Sequence, residues 1–177
     1  MRLIFSKPAR GFATGRAPGK KGNLMIRVEI PARDAIELHH AVFDLNGTLA
    51  TDGRLSAGVP RRLRTLAGML KLHILTAGTH GHIAELEERL GLAFHLVSSG
   101  EEKVRYVEQL DPCTVIAFGN GANDAGMLRL AALGVAILGA EGLSLDALRG
   151  ANIVVRSPTD ALDLVLYPNR LLATLRG

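Results

Sequence analysis

One acidic side chain stands directly after an apolar stretch that has the composition of a buried strand. Ala41-Val42-Phe43 runs into Asp44, and a glycine turn, Leu45–Thr48, follows. A carboxylate in this position is either the cap of a turn or a group that binds or attacks a ligand. The segment by itself leaves both roles open for Asp44.

A second apolar stretch also ends in small polar residues. Leu72–Leu75 is followed by Thr76, Ala77 and Gly78, which offer a hydroxyl and free backbone N–H groups at the start of a predicted helix. Such a place binds anions. The alternative is an ordinary helix cap, since Ser and Thr are common at the first residue of helices.

A third apolar stretch, Val115–Phe118, leads into the sequence Gly-Asn-Gly-Ala-Asn-Asp. The two glycines predict a sharp turn, and the side chains of Asn120, Asn123 and Asp124 carry the oxygen atoms that Mg2+ prefers. In open parallel sheets the ligand site lies beyond the carboxyl ends of the strands. The three stretches therefore predict one site.

Lys103 follows two acidic residues, Glu101 and Glu102, near the start of a predicted helix. The predicted helix, Glu101–Leu110, lies between the second and third apolar stretches. A solvated helix face accounts for Lys103 in isolation. Beside a phosphate group, the same ammonium would neutralise charge.

Taken in chain order, these segments resemble the haloacid-dehalogenase superfamily. Its signature is Asp-x-Asp-Gly-Thr, a Ser or Thr that ends the second strand, a Lys, and Gly-Asp-Gly-x-Asn-Asp. The matching positions are Asp44–Thr48, Thr76, Lys103 and Gly119–Asp124. Within the superfamily, Phe-Asp-Leu-Asn-Gly-Thr-Leu-Ala and Gly-Asn-Gly-Ala-Asn-Asp-Ala-Gly-Met-Leu are similar to soluble proteins related to the catalytic domain of P-type ATPases. The resemblance spans about residues 25–177.

The resemblance implies a two-step phosphoryl transfer on a small phosphorylated substrate or a nucleotide such as ATP. Asp44 would form an aspartyl phosphate that water then hydrolyses. The implied catalytic residues are Asp44, Asn46, Thr76 and Lys103. The implied cofactor is Mg2+, held by Asp44, the backbone carbonyl of Asn46, Asn120 and Asp124. The implied substrate-binding residues are Thr48, Thr76, Ala77, Gly78, Lys103 and Asn123.

Two amides replace carboxylates of the family pattern. Asn46 stands where phosphatases of the superfamily carry the second Asp, and Asn120 replaces the usual metal-binding Asp. Asn46 cannot exchange a proton with the leaving group or with water, and such groups contribute about 10²–10⁴-fold in rate. P-type ATPases also lack that Asp and hold their phosphoenzyme. Gly78 is a smaller departure, since relatives resembling P-type ATPases place an Asp there.

These departures leave two functions open. The first is a magnesium-dependent phosphohydrolase, slowed by Asn46. The second is a phosphate- or nucleotide-binding regulatory protein that kept the fold but lost efficient turnover.

Short apolar stretches alternate with helical patterns from residue 25 onward, which is typical of a parallel sheet covered on both faces. We therefore predict an α/β fold, a three-layer α/β/α sandwich with a mainly parallel, Rossmann-like sheet. The predicted strands are Met25–Ile30, Ala41–Leu45, Leu72–Leu75, Phe94–Val97, Thr114–Phe118, Val135–Leu138 and Ile153–Val155. The predicted helices are Pro60–Leu70, His82–Leu90, Glu101–Leu110, Asn123–Ala131, Ser144–Arg149, Thr159–Leu166 and Asn169–Arg176.

The spacing between the motifs leaves no room for a cap domain. About thirty residues separate Asp44 from Thr76, and a helix and a strand use most of them. Capless members of the superfamily tend to act on large substrates or to cover the site with a neighbouring subunit. The resemblance thus implies homo-oligomerisation.

The basic charge of the chain comes from its first segment. Residues 1–24 hold six of the 21 basic residues and none of the 17 acidic ones, so 15 basic and 17 acidic residues remain in 25–177. Four glycines and two prolines in residues 1–24 predict a disordered leader. The rest predicts one phosphohydrolase domain of ordinary charge, with no aromatic platform for nucleic acid.

Other classes of protein are disfavoured by composition. The single cysteine cannot form a disulfide framework or a thiolate zinc site, which favours a reducing, cytoplasmic location. No apolar stretch reaches the roughly 18–20 residues that cross a bilayer, so no membrane association is expected. The six histidines show no convincing metal-ligand spacing, and we expect structural roles for most of them.

Overall fold

A computed structural model describes residues 24–31, 34–78 and 80–176. The strands are β1 (Ile26–Val28), β2 (Ile36–Leu38), β3 (His40–Asp44), β4 (Ala50–Thr51), β5 (Arg54–Leu55), β6 (Lys71–Thr76), β7 (Phe94–Leu96), β8 (Val115–Gly119), β9 (Leu133–Ile137) and β10 (Ile153–Val155). The helices are α1 (Val59–Leu66), α2 (His80–Leu90), α3 (Gly100–Gln109), α4 (Ala125–Leu130), α5 (Leu145–Gly150), α6 (Pro158–Leu166) and α7 (Pro168–Leu175). Short 3-10 helices, Pro112–Thr114 and Ala122–Asp124, precede β8 and α4.

Six strands form the central sheet, in the order β10-β9-β8-β3-β6-β7. Every neighbouring pair in this sheet is parallel. β3 lies in the middle, between β6 and β8, so the strand that ends in Asp44 is flanked by the two strands that end in the other polar segments. This arrangement confirms the predicted α/β sandwich.

Helices cover both faces of the sheet. One apolar cluster joins the sheet to α1, α2 and α6, and the other joins it to α3, α4 and α5. Successive strand residues point to opposite faces, so Phe43 and Phe118 enter the first cluster and Val42 and Ala117 the second. β8 is buried along its whole length, as its continuous apolar sequence predicts.

The first predicted strand does not join the central sheet. β1 lies within the predicted range Met25–Ile30 but pairs with β2 in a separate antiparallel sheet. A second small antiparallel pair, β4 and β5, follows the Asp44 turn. The sequence analysis predicted neither β2 nor this hairpin, because two or three residues are too few to show a period.

No cap domain occurs in the described ranges. The chain between β3 and β6 forms only the β4–β5 hairpin and α1, and between β6 and α3 it forms α2 and β7. The predicted disordered leader, residues 1–24, lies outside the described residues except for Leu24. In the three described ranges, no helix has both the length and the apolar character needed to cross a bilayer.

Candidate active site

The parallel register brings the predicted segments to one rim of the sheet. Asp44 pairs with Leu75 of β6, so Thr76 follows one residue beyond it on the neighbouring strand. On the other side Phe43 pairs with Phe118 of β8, whose last residue is Gly119. The carboxyl ends of these three strands therefore lie side by side, as expected for a ligand site.

A buried ionic triad forms the centre of the site. The Lys103 ammonium Nζ donates hydrogen bonds to Asp44 Oδ1 and to Asp124 Oδ1, each at 2.6 Å. The Lys103, Asp44 and Asp124 side chains are 3%, 11% and 1% exposed. Asp44 and Asp124, which are 59 and 21 positions from Lys103 in sequence, thus meet around its ammonium. The interpretation of Lys103 as part of a solvated helix face is wrong.

The start of α3 fixes the position of Lys103. Ser99 is the N-cap, and its hydroxyl accepts a hydrogen bond from the backbone N–H of Glu102. The Glu102 carboxylate in turn accepts hydrogen bonds from the N–H and hydroxyl of Ser98. This reciprocal capping fixes the first turn of the helix, from which Lys103 reaches the carboxylates.

The second carboxylate of the triad is held by its own loop. Asp124 Oδ2 accepts hydrogen bonds from the backbone N–H groups of Asn120, at 2.9 Å, and Gly121, at 2.8 Å. A Cβ atom at Gly119 would lie 2.5–2.7 Å from atoms of the Asp124 side chain. Glycine is therefore required at position 119 because the carboxylate occupies the space of a side chain there.

Burial and charge shift the pKa values of the triad. Burial raises the pKa of Asp44, the Asp124 charge raises it further, and Lys103 opposes both, so that the value reaches about 6. Burial alone would lower the pKa of Lys103, but the charges of the two carboxylates and their hydrogen bonds outweigh it and raise the pKa. One ammonium thus faces two carboxylates in a poorly solvated place.

Asn120 connects the Asp44 turn to another loop. Its side-chain Oδ1 accepts a hydrogen bond from the Thr48 hydroxyl at 3.3 Å, and its Nδ2 donates to the Gly142 carbonyl at 3.2 Å. Gly47 has a positive φ of 76°, and a Cβ there would collide with the Asn120 amide. The Thr48 hydroxyl is also near enough to Asp44 to lower the pKa of that carboxyl.

Three of the predicted substrate-binding residues line a cavity beside the triad. Thr76 is buried, and its hydroxyl accepts a hydrogen bond from the Gly78 backbone N–H at 3.1 Å. The cavity has a volume of about 490 Å3. It is lined by Thr76, Ala77, Gly78, Leu96, Val97, Ser98 and Glu102.

Asn46 and Asn123 are exposed. In the described ranges, neither side chain forms a hydrogen bond with the triad. Asn123 lies instead in a groove between α3 and the 3-10 turn before α4.

The oxygen atoms at this rim fit a hard divalent cation. Two buried carboxylates share a single ammonium, which leaves negative charge uncompensated in a place where isolated charge is costly. The Asn46 carbonyl accepts no hydrogen bond from the described residues, and Asn120 Oδ1 adds a neutral oxygen. Carboxylate, backbone carbonyl and amide oxygens are the donors that Mg2+ and Ca2+ use. Among the described residues, His, Cys, Asp and Glu form no group of three or more that could hold a metal, so the two carboxylates need the carbonyl and amide oxygens to complete a cation site.

The loop from β9 to α5 was missed in the sequence analysis. Gly142 accepts from the Asn120 amide, and the Ser144 N–H donates to the Asn120 carbonyl at 2.8 Å. The Glu141 carboxylate accepts from the Asp52 N–H at 2.9 Å, which joins this loop to the β4–β5 hairpin. Its position directly after a buried strand, with two glycines, was the available signal.

Two uncharacterized proteins of Methanocaldococcus jannaschii are similar to parts of this chain, and one of them is 47% identical over 38 residues, which cover 22% of this chain and 86% of that protein. The other is 47% identical over 62 residues, which cover 35% of this chain and 67% of the relative. No model of a known protein family matches the chain.

Solved structures share the fold at low sequence identity. A 3-deoxy-D-manno-octulosonate 8-phosphate phosphatase from Moraxella catarrhalis, solved with magnesium, phosphate and KDO, aligns with a TM-score of 0.58 and 14% identity, over 78% of this chain and 94% of that one. A phospho-aspartyl intermediate analogue of phosphoserine phosphatase gives 0.59 and 13%, over 72% and 99%. A structure from Streptomyces avermitilis described as a HAD family hydrolase gives 0.59 and 20%, over 75% and 87%.

Proposed function

We propose that this chain is a magnesium-dependent phosphohydrolase that acts through Asp44. The chain has the haloacid-dehalogenase fold and belongs to one family with the archaeal relatives. The observation that supports the proposed function best is the buried contact of Lys103 with both Asp44 and Asp124 at the rim of the parallel sheet. A carboxylate near the rim beside a fixed ammonium is suited to attack a phosphoryl group, whose charge the ammonium neutralises.

The reaction would proceed in two displacements. An Asp44 carboxylate oxygen forms a bond to phosphorus while the bond to the ester oxygen breaks, and the leaving alkoxide takes a proton from water. A water molecule then attacks phosphorus, the bond to Asp44 breaks, and inorganic phosphate leaves while solvent takes the proton. Lys103 and Thr76 stabilise the charge on the phosphoryl oxygens in both steps. The balance is one ester and one water converted to one alcohol and one phosphate.

Asp44, Asn46, Asn120 and Asp124 would hold a magnesium ion, whose charge would reduce the repulsion between the carboxylate and the phosphate. Asn120 contributes an oxygen without charge, so we expect weaker magnesium binding than a carboxylate would give. The Asn46 amide neither gives up nor takes up a proton near neutral pH, so protons pass through water instead. Slow turnover, with a long-lived aspartyl phosphate, is the consequence.

The phosphatase neighbours support a small phosphorylated substrate. One of them was solved with phosphate and KDO. In this chain the cavity that adjoins Thr76 offers space for the leaving group of a phosphate ester or a nucleotide. We therefore propose a small phosphate ester or a nucleotide as the substrate class.

A second function is favoured by the two amides. With Asn46 and Asn120 in place of carboxylates, the same site would bind phosphate or a nucleotide and release it unchanged. The protein would then be a regulatory protein that binds phosphate or a nucleotide without hydrolysing it.

One experiment separates the two functions. Wild type, Asp44→Asn and Asn46→Asp are incubated with Mg2+ and a panel of phosphate esters and nucleotides, with Asp146→Asn as the control because Asp146 is an exposed residue of α5. Released phosphate is measured, and acid-quenched protein is weighed by mass spectrometry for phosphoenzyme. We expect turnover and phosphoenzyme in wild type and Asp146→Asn, neither in Asp44→Asn, and faster phosphoenzyme breakdown in Asn46→Asp.

Equal turnover by wild type and Asp44→Asn would contradict the proposed hydrolase function. Ligand-dependent thermal stabilisation with no released phosphate in any variant would establish the binding function instead. Unchanged breakdown in Asn46→Asp would reject the explanation of slow turnover by the missing proton donor.

A further inference from the structure

Three histidines and a tyrosine form a polar cluster beneath α3. His40, His73 and His95 lie on the neighbouring strands β3, β6 and β7, and Tyr106 lies on α3. A ring nitrogen of His40, Nδ1, is 3.0 Å from Nε2 of His73, and Nδ1 of His73 is 2.9 Å from the Tyr106 hydroxyl. His95 packs against Tyr106 with ring centroids 4.8 Å apart.

Apolar side chains surround this cluster between the sheet and α3. The surrounding positions between the sheet and α3 include Val42, Leu75, Val97 and Val107. Apolar contacts tolerate small sliding of a helix over a sheet, whereas a chain of hydrogen bonds is directional and fixes one arrangement. The cluster therefore defines where α3 sits along and around its own axis.

Tyr106 is directly connected to the proposed active site through α3. It follows Lys103 by three residues, so the two side chains project from the same face of the helix, one turn apart. The Ser99 cap holds the start of the helix, and the Tyr106 hydrogen bond holds the next turn. Lys103 lies between these two attachments along the helix.

We propose that the His40–His73–Tyr106 hydrogen-bond chain positions α3 so that Lys103 reaches both Asp44 and Asp124. Tyr106 and His73 are positioning residues and do not touch the phosphoryl group. The inference rests on the role that the proposed function gives to Lys103, but its main readout does not require turnover.

The chain of hydrogen bonds depends on protonation. Two neutral rings, or one neutral and one charged ring, share the single proton that the His40–His73 contact needs. When both rings are charged, each nitrogen carries a proton and the contact opens. Other titratable or charged groups act on the two rings: His39 and Asp111 on His40, Lys71 on both, and His95 on His73.

The test compares Tyr106→Phe with Tyr167→Phe. These are the two tyrosines of the chain, and Tyr167 is 55% exposed at the junction of α6 and α7. The primary readout is the Lys103 ammonium resonance in a protein labelled with 15N-lysine, observed at neutral pH because a buried ion pair slows proton exchange. We expect this resonance in wild type and Tyr167→Phe, and its shift or loss in Tyr106→Phe.

Kinetics provide the second readout. Misplacement of Lys103 should lower kcat by about 10–100-fold in Tyr106→Phe, with KM near the wild-type value, since small displacements of catalytic groups cost rates of this order. His73→Gln serves as a second variant, and we expect the same change in the Lys103 resonance.

An unchanged Lys103 resonance in folded Tyr106→Phe and His73→Gln would overturn the positioning role. A shifted resonance in Tyr167→Phe as well would also overturn it. If wild type proves inactive on all substrates, the proposed hydrolase fails while the resonance still decides the positioning of Lys103.

Discussion

The ammonium of Lys103 lies 2.6 Å from a carboxylate oxygen of Asp124, and the side chains of both residues are at most 3% exposed. Asp44 also contacts this ammonium, at 2.6 Å. Removal of one partner from a buried pair leaves a charge without compensation, which costs more than the pair itself contributes. The energetics of the site therefore depend on how these three groups are combined.

Lys103→Met should lower the free energy of unfolding by about 3–5 kcal/mol, because two buried carboxylates lose the ammonium that contacts both of them. The double variant Lys103→Met/Asp124→Asn should lose less than the sum of its single variants, since the second change removes one of those charges. Urea denaturation at neutral pH measures all three. Strict additivity of the two single changes would contradict the buried coupling.

Gly119→Ala should displace the Asp124 carboxylate. The added Cβ would lie 2.5 Å from Asp124 Cβ, so the loop must shift, at a cost of about 1–3 kcal/mol. Gly68→Ala is the matched control, because the nearest atom to its Cβ is 3.4 Å away. Thermal or urea unfolding of the two variants gives the comparison. Equal stability would show that the loop accommodates a methyl group at position 119.

Asn120→Asp should lower the stability of the metal-free protein and strengthen its binding of Mg2+. The carboxylate cannot donate to the Gly142 carbonyl as the amide does, so the variant should be less stable in EDTA by about 1–3 kcal/mol. Added Mg2+ should raise its melting temperature more than that of wild type, because the new ligand is charged.

Asn152→Asp provides the control for that measurement. The Asn152 Oδ1 atom accepts a hydrogen bond from the Gly134 N–H, and a carboxylate can accept the same bond. Mg2+ should therefore shift the melting temperature of Asn152→Asp by the same amount as that of wild type. A wild-type response to Mg2+ in Asn120→Asp would place the metal elsewhere.

His73 should make the stability of the protein dependent on pH. Burial lowers the pKa of His73 to about 4, and the neighbouring His40, His95 and Lys71 add to the effect. An unfolded histidine titrates near 6.5. Between pH 6.5 and 4 the unfolded chain therefore binds more protons, and the free energy of unfolding falls as the pH is lowered. This part of the slope should disappear in His73→Gln.

Urea unfolding between pH 7.5 and 4.5 checks that expectation. The free energies of unfolding of wild type and His73→Gln should converge as the pH decreases, since only wild type loses the contribution of a neutral His73. Curves that run parallel over the whole range would show that His73 titrates alike in the folded and unfolded chains.

The sequence was sufficient to predict the strands of the central sheet and most of the polar residues at its rim. Continuous apolar stretches such as Val115–Phe118 are diagnostic of strands buried on both faces, and polar residues placed directly after them must emerge at one edge. Asp44, Thr76 and Asp124 were therefore predicted together without any tertiary information. The separate β1–β2 pair and the β4–β5 hairpin were not, because strands of two or three residues carry no periodic signal.

Tertiary structure alone decided how the charges and the histidines are combined. The sequence could not show that Lys103 is buried between two carboxylates, since a lysine on an acidic helix is usually solvated. Nor could spacing along the chain join His40 to His73 and Tyr106, which come from three different elements. Local patterns determine which residues end a strand or face a helix, whereas contacts across elements depend on strand order and register, and these arise only when the chain packs.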